Sequence, residues 1–247
     1  MPSDYKHHVH IDSRDADGSG ICRPSALLGH MQEAATLAAE YGGFGRSWTL
    51  EETRGFWMMV RMWYQLKRPL RWGEQITIHT WHRGGKGAMS YRDFDIYAGE
   101  EQVGEAVSAW VLADMDTHKL IKLSDVKIMQ ETHGGDLCKD KTLSKLRLPK
   151  EMALKEHRKM RYSDTDINGH VNNTRYADFA CDALELERLP QEYFLSSMQL
   201  GYTAECRAGE EIGIHIAEED GVYYAKGVDD AGKPRFEVQL NFEQLPE

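Results

Sequence analysis

Hydrophobic residues follow two different periods along this chain, and each period predicts a different kind of element. Over residues 24–41 the apolar side chains recur at helical spacing, Pro24 suits the first helical position, and Gly42 with Gly43 ends the pattern. A second helical pattern covers residues 176–184. The predicted inward-facing residues are Leu27, Leu28, Met31, Ala34, Ala35, Ala38 and Tyr41 in the first helix, and Tyr176, Phe179, Ala180, Ala183 and Leu184 in the second.

Most of the other segments alternate between apolar and polar residues, which is typical of β-strands. One such run contains Phe56, Met58, Val60, Met62, Tyr64 and Leu66. Further runs lie near residues 75–83, 88–98 and 102–115, and then near 195–206, 210–218, 221–228 and 235–243. Strands that are grouped after a single helix, without regular helical crossovers, predict an antiparallel sheet of the α+β class.

The chain also repeats itself. Residues 15–20 align with residues 164–169, and residues 71–79 align with residues 207–215. Each aligned turn precedes a helical segment, so two copies of one unit are predicted to be fused. We place the N-terminal repeat at residues 1–138, a basic linker at 139–156 and the C-terminal repeat at 157–247.

The turn before the second helix carries the strongest chemical signal. Asp166, Asn168 and His170 fall within five residues, and Asp, Asn and Gly side chains are expected there because they cap free N–H groups. Capping does not require His170, whose imidazole exchanges protons near neutral pH. The following helix also directs N–H donors toward its front. Together these features suit a carbonyl group that becomes an oxyanion.

Several separated motifs resemble the acyl-acyl carrier protein thioesterases of plants and bacteria. They are Asp166-x-Asn168-x-His170-Val171-Asn172-Asn173-x-x-Tyr176 and the segments 202–207, 27–34, 72–74 and 108–111. The resemblance implies a double hotdog fold, in which each antiparallel sheet wraps around a central helix. It also implies hydrolysis of the thioester between a fatty acyl chain and acyl carrier protein, ending fatty acid synthesis. This chemistry needs no metal or organic cofactor, and no ligand cluster in the sequence suggests one.

The two repeats predict a division of labour. Where the second repeat has Asn168 and His170, the first has Ser19 and Ile21. Asp17 survives in the first repeat and is expected to cap its turn. We therefore expect the second repeat to supply catalysis and the first to supply much of the acyl pocket. The predicted substrate-binding residues are Ala38, Met58, Met62, Asn172 and Asn173; the two asparagines are also expected to cap the helix, and Tyr176 is assigned to the core.

Two mechanisms compete for the catalytic set Asp166, Asn168, His170, Glu205 and Cys206. In one, Glu205 activates a water molecule while the other polar residues bind water and substrate. In the other, His170 deprotonates Cys206, which forms an acyl-enzyme. Adjacent residues on a strand face opposite sides, so only one of Glu205 and Cys206 is expected to reach the site. The apolar parity of Cys206 favours Glu205 as the base.

Charge bears on the expected partner, an acidic acyl carrier protein. The formal net charge of this chain is −10, so attraction requires a local basic patch. Lys67, Arg68 and Arg71 form one candidate patch. The other is the linker region taken as residues 139–161, which is interpreted either as a docking surface or as a solvated segment. Its cations are Lys139, Lys141, Lys145, Arg147, Lys150, Lys155, Arg158, Lys159 and Arg161. No nucleic-acid motif accompanies them.

Other features set broad expectations. No apolar run approaches the ~20 residues of a membrane span, and the N-terminus lacks a signal or transit pattern, which favours a bacterial-type cytoplasmic protein. Cys22, Cys138, Cys181 and Cys206 are widely spaced and are expected to be reduced thiols. Either a monomer or a homodimer is compatible with a fused pair of hotdogs.

Three alternatives to the carrier-dependent thioesterase remain at this point. An acyl-CoA thioesterase would use the same chemistry with a different carrier. A hotdog hydratase acting on enoyl thioesters would also use His and a carboxylate, although Gly169 precedes His170 where such hydratases usually show an Asn-Pro element. A non-catalytic acyl-binding protein would not need the polar set of the second repeat.

Overall fold

The computed structural model describes residues 4–126 and 139–246, and one antiparallel sheet runs through both parts. The strands of the first repeat are β1 (Tyr5–His10), β2 (Gly55–Leu66), β3 (Gln75–Lys86), β4 (Met89–Ala98), β5 (Glu101–Asp114) and β6 (Leu120–Ile121). Those of the second are β7 (Ala153–Lys159), β8 (Tyr193–Tyr202), β9 (Glu211–Glu219), β10 (Val222–Val228) and β11 (Pro234–Gln244).

The strand order shows the repeat directly. It reads β1-β3-β4-β5-β2-β8-β11-β10-β9-β7, with β6 paired to β5, so the second half mirrors the first. Strands β2 and β8 join the halves along an antiparallel register that runs from Arg61 opposite Gly201 to Gln65 opposite Ser197. The α+β prediction and the double hotdog fold are confirmed.

In the described ranges three α-helices accompany the sheet: α1 (Pro24–Tyr41), α2 (Arg46–Thr53) and α3 (Arg175–Ala183). α1 begins at Pro24 as predicted, and Gly43 just beyond its end has a φ of +76°, a conformation that favours glycine. The short helix α2 was not predicted. Thr49 is its single buried residue, so no apolar period marks it in the sequence.

The main core lies between the sheet and the two long helices. Met31 and Phe179 are fully buried there with strand residues such as Tyr64, and burying each such side chain stabilises the fold by roughly 1.5–3 kcal/mol. α1 also contacts α3 directly, since a Cβ added to Gly29 would lie 4.0 Å from Thr174 Cγ2. The core is therefore shared by the two repeats.

Strand β2 corrects one sequence prediction. A β-bulge between Met59 and Arg61 shifts the alternation by one residue. On the C-terminal side of the bulge, Met62 lies in the main core as predicted. On the N-terminal side, Met59 lies in that core, whereas Met58 is only half-buried and belongs to none of the described clusters. The predicted single alternation from Phe56 to Leu66 is wrong, because one extra residue reverses the side that each preceding side chain faces.

The described part of the linker packs against the sheet rather than standing in solvent. Leu143 is buried with Trp63 in a second cluster, and Lys141 Nζ lies 3.4 Å from the centroid of the Trp63 ring. Lys139 Nζ lies 2.7 Å from carboxylate oxygens of both Asp95 and Glu105. The interpretation of this segment as a solvated linker is therefore wrong for these residues.

Within the described ranges, no helix combines the length and apolar character needed to span a membrane. Cys22, Cys181 and Cys206 are free thiols, and Cys138 lies outside the described residues.

Candidate active site

A tight turn shapes the polar segment before α3. Asp166 Oδ1 accepts the backbone N–H of Asn168 at 2.8 Å, and the backbone N–H of Asp166 donates to the carbonyl of His170 at 3.0 Å. Gly169 completes the turn with a φ of +75°, where a residue with a Cβ would be strained. Local chemistry of Asp, Asn and Gly thus sets the backbone path that presents the His170 side chain.

Two hydrogen bonds tie this turn to the loop that follows β8. The N–H of Val171 donates to the carbonyl of Cys206 at 2.8 Å, and the N–H of Cys206 donates to the hydroxyl of Tyr176 at 3.2 Å. This arrangement brings His170 Nε2 within 3.1 Å of Glu205 Oε2. The Glu205 side chain remains 51% exposed and that of His170 25% exposed, so water can reach the carboxylate.

Asn172 connects the turn to the start of α3. Its Nδ2 donates to Asp166 Oδ2 at 3.1 Å, while its Oδ1 accepts from the N–H and the hydroxyl of Thr174 at 3.0 and 2.8 Å. Asn172 therefore orients Asp166 and holds Thr174, the residue before α3, while the helix start has no side-chain cap hydrogen bond. Asn173 is half-buried, and its side chain makes no hydrogen bond with any residue that the structure describes.

The Asn168 side chain is exposed, and the described residues offer it no hydrogen-bond partner. The donors expected at the helix end are largely occupied. The N–H groups of Arg175 and Ala177 donate to the carbonyls of Asn172 and Thr174 at 2.9 and 3.1 Å. Neither N–H group can donate to an oxyanion without breaking its present hydrogen bond. The Asn168 amide has no such bond and is therefore the more available donor in this segment.

The structure separates Glu205 from Cys206. β8 ends at Tyr202, so neither residue lies on a strand, and the prediction that strand alternation places them on opposite sides does not apply. The separation nevertheless exists, because Cys206 is 0% exposed within the main core while Glu205 projects to the surface. Burial raises the pKa of the Cys206 thiol, which disfavours the thiolate needed for nucleophilic attack.

Arg235 holds the backbone of the Glu205 loop, a contact that sequence reasoning missed. Its Nη1 donates to the carbonyl of Glu205, and its Nη2 lies 3.0 Å from Asp229 Oδ2. The backbone N–H of Lys233 and the Arg235 guanidinium lower the pKa of Asp229, so this carboxylate stays charged and keeps Arg235 in place. No motif marks this pair, since 30 positions separate Arg235 from Glu205.

The residues predicted to line an acyl pocket differ in burial. Ala38 on α1 is 7% exposed and Met62 on β2 is 1% exposed, whereas Met58 is only half-buried beyond the bulge. A separate groove of ≈ 300 Å³ lies at the β2–β8 junction and contains none of these three. It is lined by Val60, Arg61, Met89, Ser144, Lys145, Leu146, Gln199, Gly201, Tyr202, Thr203 and Glu237.

Comparison with known sequences covers both halves of the chain. The acyl-ACP thioesterase N-terminal domain family matches residues 2–130, and the acyl-ACP thioesterase C-terminal domain family matches residues 148–244. A chloroplastic acyl-[acyl-carrier-protein] hydrolase, FATB2 of Cuphea viscosissima, is 28% identical over 217 residues, which are 82% of this chain and 52% of the relative. Oleoyl-acyl carrier protein thioesterase 1 of Arabidopsis thaliana is 28% identical over 231 residues, 84% of this chain and 62% of the relative. The chain thus spans about half the length of the curated relatives it matches.

Solved structures share the whole fold. An acyl-ACP thioesterase from Bacteroides thetaiotaomicron superposes with a TM-score of 0.79 at 20% identity, covering 98% of both chains. The 12:0-ACP thioesterase from Umbellularia californica gives a TM-score of 0.80 at 20% identity, covering 99% of this chain and 98% of that chain. At this identity the likeness establishes the fold of the chain.

Proposed function

The chain belongs to the acyl-ACP thioesterase family, and from that membership and its site geometry we propose that it hydrolyses fatty acyl thioesters of acyl carrier protein. The observation that carries the proposal is the 3.1 Å contact between His170 Nε2 and Glu205 Oε2, in a turn that also carries the exposed Asn168. The products are a free fatty acid and the carrier with its thiol restored.

Glu205 is the general base in this proposal. Its carboxylate takes a proton from a water molecule, and the resulting hydroxide attacks the thioester carbonyl carbon. The tetrahedral oxyanion collapses as the carbon–sulfur bond breaks, and the leaving sulfur receives the proton. The His170 imidazole, whose Nε2 lies 3.1 Å from Glu205 Oε2, packs against the carboxylate and orients it toward the water.

The neighbouring amides position the substrate. Asn168 lies in a turn in which Asp166 Oδ1 accepts the Asn168 backbone N–H at 2.8 Å. Asn172 Nδ2 donates to the other carboxylate oxygen of Asp166 at 3.1 Å. These bonds hold the backbone that carries Asn168, and its unpaired amide is available to donate to the developing oxyanion. Asp166 and Asn172 therefore act as positioning residues, and Asn168 contacts the reacting group.

The first measurement is thiol release from acyl-carrier and acyl-CoA thioesters of several chain lengths, with the wild type, Glu205→Gln and Cys206→Ala. We expect faster release from the carrier-bound substrates, near-complete loss with Glu205→Gln, and substantial activity with Cys206→Ala. Preference for CoA substrates would change the proposed carrier. Loss of activity with Cys206→Ala in a folded protein would place the nucleophile at the thiol, and no release from either substrate would contradict thioester hydrolysis.

The first repeat is proposed to hold the acyl chain through Ala38 and Met62, which are both buried. Ala38→Leu is expected to shift preference toward shorter chains, because it adds volume beside the helix, and Met62→Ala toward longer ones. Met58→Ala is the comparison variant, since Met58 is only half-buried and lies on the N-terminal side of the bulge. Unchanged chain-length preference in both buried variants would remove this role from the first repeat.

A further inference from the structure

Two large apolar side chains are strongly exposed beside the candidate site. Tyr162 is 91% exposed and Ile167 is 89% exposed, the highest values among the large hydrophobic residues of the described ranges. Both belong to the segment that leads into the His170 turn. Exposed apolar side chains that are grouped in this way mark surfaces that bind other molecules.

Two arginines stand next to them. The N–H of Gly209 donates to the carbonyl of Met160 at 3.0 Å, which brings the segment containing Arg207 beside the one containing Arg161. Both arginines are exposed, and neither forms an ion pair with any residue in the described ranges. We call Arg161, Tyr162, Ile167 and Arg207 the rim patch.

The acidic groups around the rim patch are already paired. Glu205 Oε2 lies 3.1 Å from His170 Nε2, and Glu210 accepts the backbone N–H of Arg207 at 3.0 Å and lies 3.7 Å from Arg235. Arg161 and Arg207 are therefore two cations at this edge of the site that no acidic side chain of the described ranges holds, even though the whole chain is acidic.

The first repeat shows that the turn itself does not require these side chains. Gly73 N–H donates to the carbonyl of Ile11 at 2.8 Å, the same bond that Gly209 makes to Met160. At the positions of Arg161, Tyr162 and Ile167 the first repeat has Asp12, Ser13 and Gly18. The first repeat thus forms the same backbone turn with an aspartate, a serine and a glycine at these three positions.

Several cations of the linker region already have acidic partners, whereas Arg147, Lys150 and Lys159 are exposed without an ion pair in the described ranges but lie outside the segments that carry His170 and Glu205. Lys139 is bound by Asp95 and Glu105, and Arg158 Nη1 lies 2.6 Å from Asp182. Lys145 and Lys155 also have acidic partners, at 3.5 and 3.1 Å. Charges that are satisfied within the chain contribute little to the attraction of a second protein.

We infer that the rim patch is the docking surface for the acidic acyl carrier protein, an inference that rests on the proposed function. The two arginines attract carboxylates on the carrier, and Tyr162 with Ile167 packs against apolar side chains between them. Docking here brings the carrier, and the thioester it holds, close to the exposed Glu205 side chain.

The test compares the double variant Arg161→Glu/Arg207→Glu with Arg71→Glu. Arg71 is the equivalent of Arg207 in the first repeat: it is exposed, and Glu74 accepts its backbone N–H at 2.9 Å. We expect the KM for carrier-bound substrate to rise about tenfold or more in the double variant and to change less than about twofold in Arg71→Glu. Hydrolysis of a small acyl-pantetheine thioester should be unchanged in both, which also shows that the site is intact.

A second variant, Tyr162→Ser/Ile167→Ser, removes the apolar part without changing charge. It should raise the KM for carrier-bound substrate while keeping its salt dependence, whereas the arginine variant should lose most of that dependence. Equal effects on carrier and small substrates, or an equal effect of Arg71→Glu, would overturn the docking surface. If the wild-type protein did not hydrolyse the small acyl-pantetheine thioester, the result would instead contradict the proposed function.

Discussion

The two repeats build the same turn and use it differently. Asp17 Oδ1 accepts the N–H of Ser19 at 2.8 Å, as Asp166 Oδ1 accepts that of Asn168 at 2.8 Å. Both turns carry a positive-φ glycine, Gly20 and Gly169. The frame is therefore a property of the fold, and the chemistry depends on which side chains the frame presents.

A histidine–carboxylate contact by itself does not identify the active copy. In the first repeat His30 Nε2 lies 3.0 Å from Asp15 Oδ2, a distance as short as that between His170 and Glu205. The Asp15 side chain, however, is only 17% exposed and its Oδ2 also accepts the N–H of Asp12. This first pair ties α1 to its turn, whereas Glu205 remains open to water and substrate.

The same comparison bears on Cys206. Its equivalent in the first repeat is Leu70, and each has a carbonyl that accepts the N–H of its matching turn residue, Val171 or Cys22, at 2.8 Å. Both Leu70 and Cys206 are 0% exposed. A position that is filled by leucine in the copy lacking the polar set is a packing position, and cysteine serves there as a small hydrophobe.

The largest expected effect comes from removing the base. Glu205→Gln should lower kcat by about 10²–10⁴-fold, the usual contribution of general base catalysis. Thiol release under saturating substrate measures it, with Cys206→Ala as the control that should stay active. A Glu205→Gln enzyme with near-normal kcat would remove the distinction drawn here between the repeats.

Making the second turn resemble the first gives the next effect. His170→Ile, which installs the residue found at Ile21, should lower kcat by about 10²-fold because Glu205 loses the imidazole that lies 3.1 Å from its carboxylate. Far-UV circular dichroism should be unchanged, since the turn's backbone bonds do not involve the imidazole. The reciprocal change, Ile21→His, should leave kcat unaltered; increased activity there would mean that the first turn is also a working site.

A smaller effect is expected from Tyr176→Phe, which keeps the ring but removes the acceptor of the Cys206 N–H. Leaving that buried N–H unpaired should lower the free energy of unfolding by about 1–3 kcal/mol and loosen the Glu205 loop, with a severalfold fall in kcat. Chemical denaturation measures the first and steady-state kinetics the second. Tyr202→Phe is the matched control, because the Tyr202 hydroxyl has no hydrogen-bond partner among the described residues; equal losses in both variants would mean that the Cys206 bond is not responsible.

The smallest effect should follow alkylation. Burial raises the pKa of the Cys206 thiol, and that of Cys22 rises to about 12 for the same reason, so thiolate is scarce at neutral pH. Native protein treated with iodoacetamide at pH 7 should keep its activity, and mass spectrometry should find little label on either residue. Because the raised pKa keeps both thiols protonated at neutral pH, labelling should become faster only as the pH rises. Rapid labelling of Cys206 at pH 7 together with inactivation would contradict the core assignment.

Periodicity predicted the helices and most strands because burial on one face imposes a period that is readable in one dimension. It failed where a local event broke the period. The bulge after Met59 reversed the facing of Met58, α2 had only Thr49 to signal it, and the end of β8 at Tyr202 placed Glu205 in a loop.

Residue type and spacing were enough to predict the repeated frame, the positions of α1 and α3, and the copy that carries the polar set. The contact between Glu205 and His170 and the burial of Cys206 depend instead on hydrogen bonds between segments that are distant in the chain. The same is true of Arg235, which supports Glu205 from the neighbouring strand β11. Contacts across a sheet depend on register, and no local pattern encodes the distance between two side chains that the register brings together.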